Sequence, residues 1–183
     1  MATDAEYKNA IQALGWPELR TLWDGIQQGD TPGWEAGKAF EYLVLRAFQL
    51  DGLDIRWPFS VNIFETANVE QIDGVIHYVG LSCLVESKDY SDKVNIEPIA
   101  KLRNQLLRRP ANTIGMIFSR SGFTKPAIML CHFVFPQTIL LWDGAEIEYA
   151  LDNRKIAALL QLKYRASVEE GIPDYDVREE ALP

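Results

Sequence analysis

The sequence predicts a mixed α/β fold in a single domain spanning residues 1–183. Apolar residues recur at helical spacing in some segments and at strand spacing in others, and the predicted order is helices, three strands, then helix, strand, helix, strand, helix. Strands joined by helical crossovers are typical of parallel pairing, so we expect the later strands to be parallel to one another. With 183 residues, 48% of them hydrophobic, the chain can bury a sizeable core.

Three helices separated by turns are predicted in the first fifty residues. Residues 5–28 favour two short helices interrupted at Gly15-Trp16-Pro17. Residues 1–30 are therefore interpreted as a helical N-terminal extension. Thr31, which a proline follows, is a typical helix start, and apolar residues at three- and four-residue spacing predict a longer helix from there to about Leu50.

The strands begin just after this helix. Three segments rich in Val, Ile or aromatic residues follow one another, at 54–62, 71–78 and 81–88. Only Val79 and Gly80 separate the last two, which predicts an antiparallel hairpin. Beyond the hairpin the chain alternates helices with short buried strands: a helix at 95–109, a strand at 113–118, a helix at 124–135, a strand at 138–142, a turn at Asp143-Gly144, and mostly helix over 147–164.

Other features bound the class of protein. No run of eighteen apolar residues is present and the N-terminus does not resemble a signal peptide, so we expect a cytoplasmic protein without a membrane partner. Cys83 and Cys131 lie in apolar segments and suit reduced core thiols better than a disulfide or zinc cluster. The acidic stretch 167–183 contains few large apolar residues and is predicted to be a loosely docked or disordered tail.

The net charge of −8 argues against a free-standing, sequence-blind nucleic-acid binder, because such proteins carry a clear positive excess. Two considerations weaken this objection. Carboxylates that bind a metal contribute part of the negative charge and are neutralised when the ion binds, and the remaining acids can lie far from a local basic patch.

The hairpin carries the sharpest chemical pattern, Asp73 followed after twelve residues by Glu86-Ser87-Lys88. If Val79 and Gly80 form a two-residue turn, Asp73 stands opposite Glu86, and Lys88 shares the face of Glu86. Two adjacent carboxylates repel each other unless they share a proton or a cation. Their hard oxygens suit Mg²⁺ or Mn²⁺, and Lys88 could orient a bound water or stabilise phosphate charge. Glu41, at the edge of the apolar stripe of its helix, could reach the same site.

The same residues have a simpler interpretation. Asp, Glu and Lys on a strand pair are also typical of a solvated sheet face with a cross-strand ion pair. Glu41 also suits an ordinary surface glutamate. Against this, residues 83–85 read as a buried strand, in which two neighbouring acids have little structural reason to occur.

Asp73 and Glu86-x-Lys88 on a hairpin, after a helix that carries Glu41, resemble the PD-(D/E)XK nuclease superfamily. The strand, turn and helix over 114–127 are similar to its Mrr-type restriction endonuclease branch. The resemblance implies a restriction-endonuclease-like mixed β-sheet flanked by helices. It also implies metal ligation by Asp73, Glu86 and the main-chain carbonyl of Ser87, with Lys88 as the catalytic lysine and Glu41 as an auxiliary acid.

A basic stripe is predicted on the helix after the hairpin. Lys101, Gln105 and Arg108 recur at positions i, i+4 and i+7, and could meet DNA phosphates or form an ordinary solvated face. Arg120 and Lys125 flank a turn before the next helix, where they could hold a phosphate or simply accompany a capping turn.

These observations and the resemblance favour a Mg²⁺-dependent DNA endonuclease, with Mn²⁺ as a possible substitute, acting in restriction or phage defence. We expect a homodimer or larger homo-oligomer, because two sites can then reach two strands, and a partner protein could supply target recognition. Two alternatives stay open: a structure-selective nuclease like a Holliday-junction resolvase, and a catalytically inactive nuclease fold that serves as a scaffold or interaction module.

Overall fold

The computed structural model describes residues 2–63, 66–134 and 136–179. Helices and strands alternate in the second half of the chain, as the periodicity predicts. The elements within the described residues are α1 (Asp4–Gln12), α2 (Trp16–Gln28), α3 (Lys38–Leu50), β1 (Asp54–Arg56), β2 (Phe59–Ile63), β3 (Thr66–Ile72), β4 (Gly74–Tyr78), β5 (Leu81–Lys88), α4 (Ile96–Leu106), β6 (Thr113–Ser119), α5 (Lys125–Cys131), β7 (Ile139–Trp142), α6 (Gly144–Asn153) and α7 (Ile156–Glu169).

A five-stranded mixed sheet in the order β1-β4-β5-β6-β7 forms the centre of the molecule. The neighbours β1, β4 and β5 pair antiparallel, whereas β5, β6 and β7 pair parallel, which confirms the prediction for the later strands. A second sheet consists of β2 and β3, paired antiparallel. The sequence did not predict β3 as a separate strand.

Two of the predicted strands are divided. The segment 54–62 separates into β1 and β2 around Pro58, which cannot donate a backbone hydrogen bond to a sheet. The segment 71–78 is divided at Asp73, where β3 ends and β4 begins. The Asp73 side chain accepts a hydrogen bond from the backbone of β5, and such side-chain bonds replace regular ladder pairing locally.

Several predicted helix boundaries were wrong. Helix α3 begins at Lys38, not at Thr31, because Thr31 instead starts a turn in which its carbonyl accepts from the Trp34 amide. Gly37, the N-cap residue of α3, has a φ of 81°, a left-handed conformation that suits glycine. Helix α5 ends at Cys131 rather than near 135, and residue 135 itself lies outside the described residues.

The last predicted helix is two helices. Helix α6 begins at Gly144, and Asp143 caps it by accepting a hydrogen bond from the Glu146 amide, so Asp143-Gly144 is a helix start and not the predicted turn. Arg154 ends α6 with φ 56°, and α7 follows. A positive φ at a residue other than glycine interrupts helical hydrogen bonding, which explains why helical periodicity alone did not show the break.

The sheet is covered by helices on both faces. One core cluster joins the sheet to the N-terminal helices α1, α2 and α3 and to α6 and α7; in it the rings of Phe118 and Trp142 stack with centroids 5.5 Å apart. The other cluster joins the opposite face to α4 and α5. Side chains alternate between faces along a strand, so Val85 belongs to the first cluster and Leu84 to the second.

The C-terminal segment is docked over residues 170–179, so the prediction of a loosely held tail was wrong there. The Leu141 amide donates to the Pro173 carbonyl at 3.1 Å, and the side chain of Val177 is fully buried. Fully buried Lys163 on α7 pairs with Glu146 at 2.7 Å. Residues 180–183 lie outside the described part of the chain. Within the described ranges, none of the helices has both the length and the apolar character that crossing a bilayer requires.

Candidate active site

The β4–β5 hairpin has the register that its turn predicts. Pairing runs from Tyr78 opposite Leu81 to Gly74 opposite Val85, so Val79 and Gly80 form the two-residue connection. Continuing this register by one residue sets Asp73 opposite Glu86. This is the register on which the prediction that the two acids face each other across the hairpin depends.

Gly74 lets helix α3 approach the hairpin closely beside Asp73. A Cβ atom at this position would lie 2.5 Å from a methyl carbon of Leu45 and 3.1 Å from the Arg56 carbonyl oxygen. Leu45 is fully buried on α3, so there is little room for it to move. A glycine directly after Asp73 therefore sets the distance between this end of the sheet and the helix that carries Glu41.

Asp73 is buried, with 8% of its surface exposed, and is held by β5. Its Oδ2 atom accepts a hydrogen bond from the Ser87 amide at 2.8 Å. Burial raises the pKa of Asp73 to about 7, and the nearby charges of Glu86 and Glu41 contribute to this rise, while the Ser87 amide and Lys88 oppose it. Near neutral pH this carboxyl is therefore poised between its two protonation states.

Glu86 is more deeply buried, with 1% exposure, and two lysines contact it. The Lys88 ammonium lies 2.5 Å from Oε1 of Glu86. Lys101, on α4, donates to Oε1 at 2.9 Å and to Oε2 at 3.1 Å. Burial by itself lowers the pKa of Lys88, but the attraction of Glu86 and Asp73 outweighs it and the pKa is raised, so Lys88 stays protonated.

Glu41 approaches the site without closing a three-acid cluster. Its carboxylate pairs with Lys38 one helical turn away at 2.6 Å, although its charge contributes to the raised pKa of Asp73. Glu86 shares the sheet face of Leu84, which α4 covers, whereas α3 covers the opposite face. Within residues 2–63, 66–134 and 136–179, no three His, Cys, Asp or Glu side chains are grouped as a metal cluster.

The predicted phosphate-binding residues do not form an unpaired basic stripe. Gln105 is buried, with 4% exposure, and donates to the Gln71 carbonyl at 3.4 Å, so it does not lie on a solvated face. Arg108 pairs with the buried carboxylate of Glu70. The Arg120 guanidinium lies 2.5 Å from a carboxylate oxygen of Asp89.

Of the other two, Lys125 is exposed in the first turn of α5, and Lys101 reaches the Glu86 carboxylate. Sequence reasoning singled out Lys101 but assigned it to DNA phosphates. Its contact with Glu86 was missed because it depends on how α4 crosses the sheet. The sequence offered one indication of this contact: α4 follows β5 directly along the chain, and consecutive elements usually pack near each other.

A mixed sheet flanked by helices, with the Asp73 and Glu86-x-Lys88 pattern at the end of a central hairpin, is typical of the restriction-endonuclease-like fold class. Residues 35–151 match the Mrr_cat family model, described as a restriction endonuclease, and the chain belongs to this family. The family assigns the protein to the DNA endonucleases. The expected restriction-endonuclease-like fold and the PD-(D/E)XK resemblance are confirmed.

Three solved structures are similar to the chain at low sequence identity. The protein of unknown function AF1548 is 17% identical with a TM-score of 0.50, and the match covers 70% of this chain and 77% of that one. The DNA modification-dependent restriction endonuclease AspBHI is 15% identical with a TM-score of 0.48, covering 86% of this chain and 43% of that one.

The MspJI restriction endonuclease, solved in complex with a 27-mer oligonucleotide, is 16% identical with a TM-score of 0.41, covering 86% of this chain and 35% of that one. The match thus spans less than half the length of either named endonuclease. No curated protein sequence matches the chain significantly.

Proposed function

We propose that this protein is a Mg²⁺-dependent DNA endonuclease that hydrolyses phosphodiester bonds in the cytoplasm, in restriction or phage defence. The observation that carries the proposal is the buried pair of acids at the end of the hairpin, Asp73 and Glu86, with Lys88 2.5 Å from the Glu86 carboxylate. A buried acid pair is costly without a cation, so its presence in a nuclease fold favours a metal site.

The donor set fits a hard divalent cation. Asp73 and Glu86 offer carboxylate oxygens, which Mg²⁺ and Mn²⁺ prefer. In a strand, the N–H and C=O of one residue point to the same edge, and the Ser87 amide points toward Asp73. The Ser87 carbonyl therefore faces the same edge, where it would complete the set. Glu41 would assist as an auxiliary acid through its charge.

The protein residues have distinct proposed roles. When bound, the divalent ion would polarise the scissile phosphate and lower the pKa of a water. Asp73 and Glu86 would hold the ion beside the substrate phosphate. Lys88, which stays protonated beside Glu86, would stabilise the negative charge that builds on the phosphate and orient the attacking water.

DNA is the proposed partner, and Arg108, Arg120 and Lys125 are the proposed contacts to its backbone. Lys125 is exposed, and about half of the Arg108 side chain is exposed although it pairs with Glu70. Arg120, with 19% exposure, would have to exchange Asp89 for a phosphate. Buried Gln105 is not among these proposed contacts. A homodimer would present two active sites to the two strands of DNA, and a partner protein could recognise the target.

A cleavage assay tests the site. Plasmid and linear duplex DNA are incubated with Mg²⁺, with Mn²⁺ or with EDTA, using the wild-type protein, Asp73→Ala and Glu86→Gln. We expect cleavage only with metal, and a loss of about 100-fold or more in each variant. Asp152→Asn, which removes a surface carboxylate paired with Arg20, is the matched control and should cleave normally.

Three results would change the proposal. Cleavage that survives Asp73→Ala would refute the site assignment. Faster cleavage of branched than of linear DNA would identify a structure-selective nuclease. If no form of DNA is bound or cut, and millimolar Mg²⁺ leaves the melting temperature unchanged, the protein is a scaffold with a nuclease fold.

A further inference from the structure

Two lysines occupy the Glu86 carboxylate, and they differ in how firmly they are held. Lys88 comes from the same strand, two residues away, and its side chain is 18% exposed. Lys101 comes from α4, its side chain is 49% exposed, and it contacts both carboxylate oxygens. Together their ammonium groups take up the oxygens that a divalent cation would need.

A metal ion and both ammonium groups cannot bind this carboxylate together without strong repulsion between their positive charges. Mg²⁺ or Mn²⁺ binds oxygen at about 2.1 Å, much closer than the 2.9 Å at which Lys101 contacts Oε1. A divalent ion at that oxygen would lie within a few ångströms of each ammonium group, where like charges repel strongly in a buried site. One ammonium group must therefore move before the ion can bind.

Lys101 is the lysine that can move at lower cost. The backbone of Lys88 is fixed in β5, opposite Ser119 of β6, and most of its side chain is buried. Lys101 extends from an exposed face of α4 on a flexible four-carbon chain, and about half of that chain already contacts solvent. Moving its ammonium group into water breaks two hydrogen bonds to Glu86.

We infer that Lys101 is an internal counter-cation that holds Glu86 in the metal-free protein and must leave when a divalent ion binds. The ammonium group, together with that of Lys88, pairs with a carboxylate that is buried near Asp73, and so competes with metal for the same oxygens. This inference rests on the proposed metal site and adds a control on its occupancy. The site fills only when the ion outcompetes a tethered cation.

Metal binding without DNA tests the inference. Calorimetric titration with Mn²⁺ is compared between the wild-type protein, Lys101→Met and Lys101→Arg. Lys101→Met should bind Mn²⁺ about fivefold more tightly, which corresponds to about 1 kcal/mol and is the size expected for a half-exposed ion pair. Lys101→Arg keeps a cation near Glu86 and should bind like the wild type.

Arg103→Met is the matched control. Arg103 is exposed on the same helix, so its replacement removes one positive charge while the Glu86 contacts stay intact. A general effect of net charge would tighten Mn²⁺ binding equally in Arg103→Met and Lys101→Met, and would overturn the inference. Melting curves without metal check that each variant is folded. If Lys101→Met is unfolded, Lys101→Gln serves as the second variant for the same titration.

Glu86→Gln separates this inference from the proposed function. Saturable Mn²⁺ binding that the wild type shows and Glu86→Gln lacks supports the metal site. If in that case the Lys101→Met protein binds Mn²⁺ no more tightly than the wild type, Lys101 is only structural and the inference fails alone. If none of the proteins binds Mn²⁺, both the metal site and the inference fail.

Discussion

Replacement of Asp73 by asparagine should stabilise the metal-free protein at alkaline pH. Asparagine keeps the shape of the side chain and an oxygen that can accept from the Ser87 amide, but it carries no charge. The substitution therefore removes a buried negative charge beside Glu86 while preserving the hydrogen bond to β5. A residue held for metal binding rather than for stability should behave in this way.

The magnitude follows from the pKa of Asp73, which is raised from 3.8 to about 7. A carboxyl whose pKa is raised by folding costs nothing below pH 3.8, where it is protonated in both states. The cost grows as the pH rises and is complete above about pH 7. Between pH 5 and pH 8 the stability difference between Asp73→Asn and wild type should thus grow by roughly 2 to 3 kcal/mol.

The assay is urea denaturation in EDTA at pH 5 and pH 8, with melting curves as a second measurement. For a chain of this size, the difference in melting temperature between the variant and the wild type should be about 5 to 10 °C larger at pH 8 than at pH 5. Asp176→Asn is the control, because a hydrogen bond from Arg178 lowers the pKa of Asp176. Ionised Asp176 stabilises the folded protein at any pH above the pKa that this residue has in the unfolded chain. The Asp176→Asn variant should therefore be slightly less stable than the wild type at both pH values.

One outcome would refute the reasoning. If Asp73→Asn is no more stable than the wild type at pH 8, or if its advantage is the same at both pH values, the Asp73 carboxyl does not carry an unfavourable buried charge. The case for a cation at this position would then lose its physical basis.

Two further substitutions test the packing around the site and the docked C-terminal segment. Gly74→Ala should cost about 1 to 3 kcal/mol of stability, because its methyl group meets buried Leu45; unchanged urea denaturation would show that α3 is free to withdraw. Lys163→Met should cost about 3 to 5 kcal/mol, because it leaves Glu146 buried without its cation. In that case a double variant with Glu146→Leu should recover much of the loss, and failure to recover would show that the ion pair itself does not account for it.

The sequence predicted those features of the site that depend on residues close together in the chain. The register of the hairpin follows from a two-residue turn at Val79 and Gly80 and a side-chain period of two, and the structure has that register. The division of the strand at Asp73 was not predictable, because it depends on a hydrogen bond to Ser87 across the hairpin. Secondary-structure propensity and hydrophobic periodicity carry no information on such side-chain contacts.

The sequence by itself determined the alternation of helices and strands, the parallel pairing of β5, β6 and β7, and the register of the hairpin that carries Asp73 and Glu86. These features depend on short-range periodicity, turn length and the handedness of crossovers. Only the tertiary structure brought Lys101 to Glu86 and docked residues 170–179. Those contacts join segments far apart in the chain, and their formation depends on which faces the packed helices present to one another.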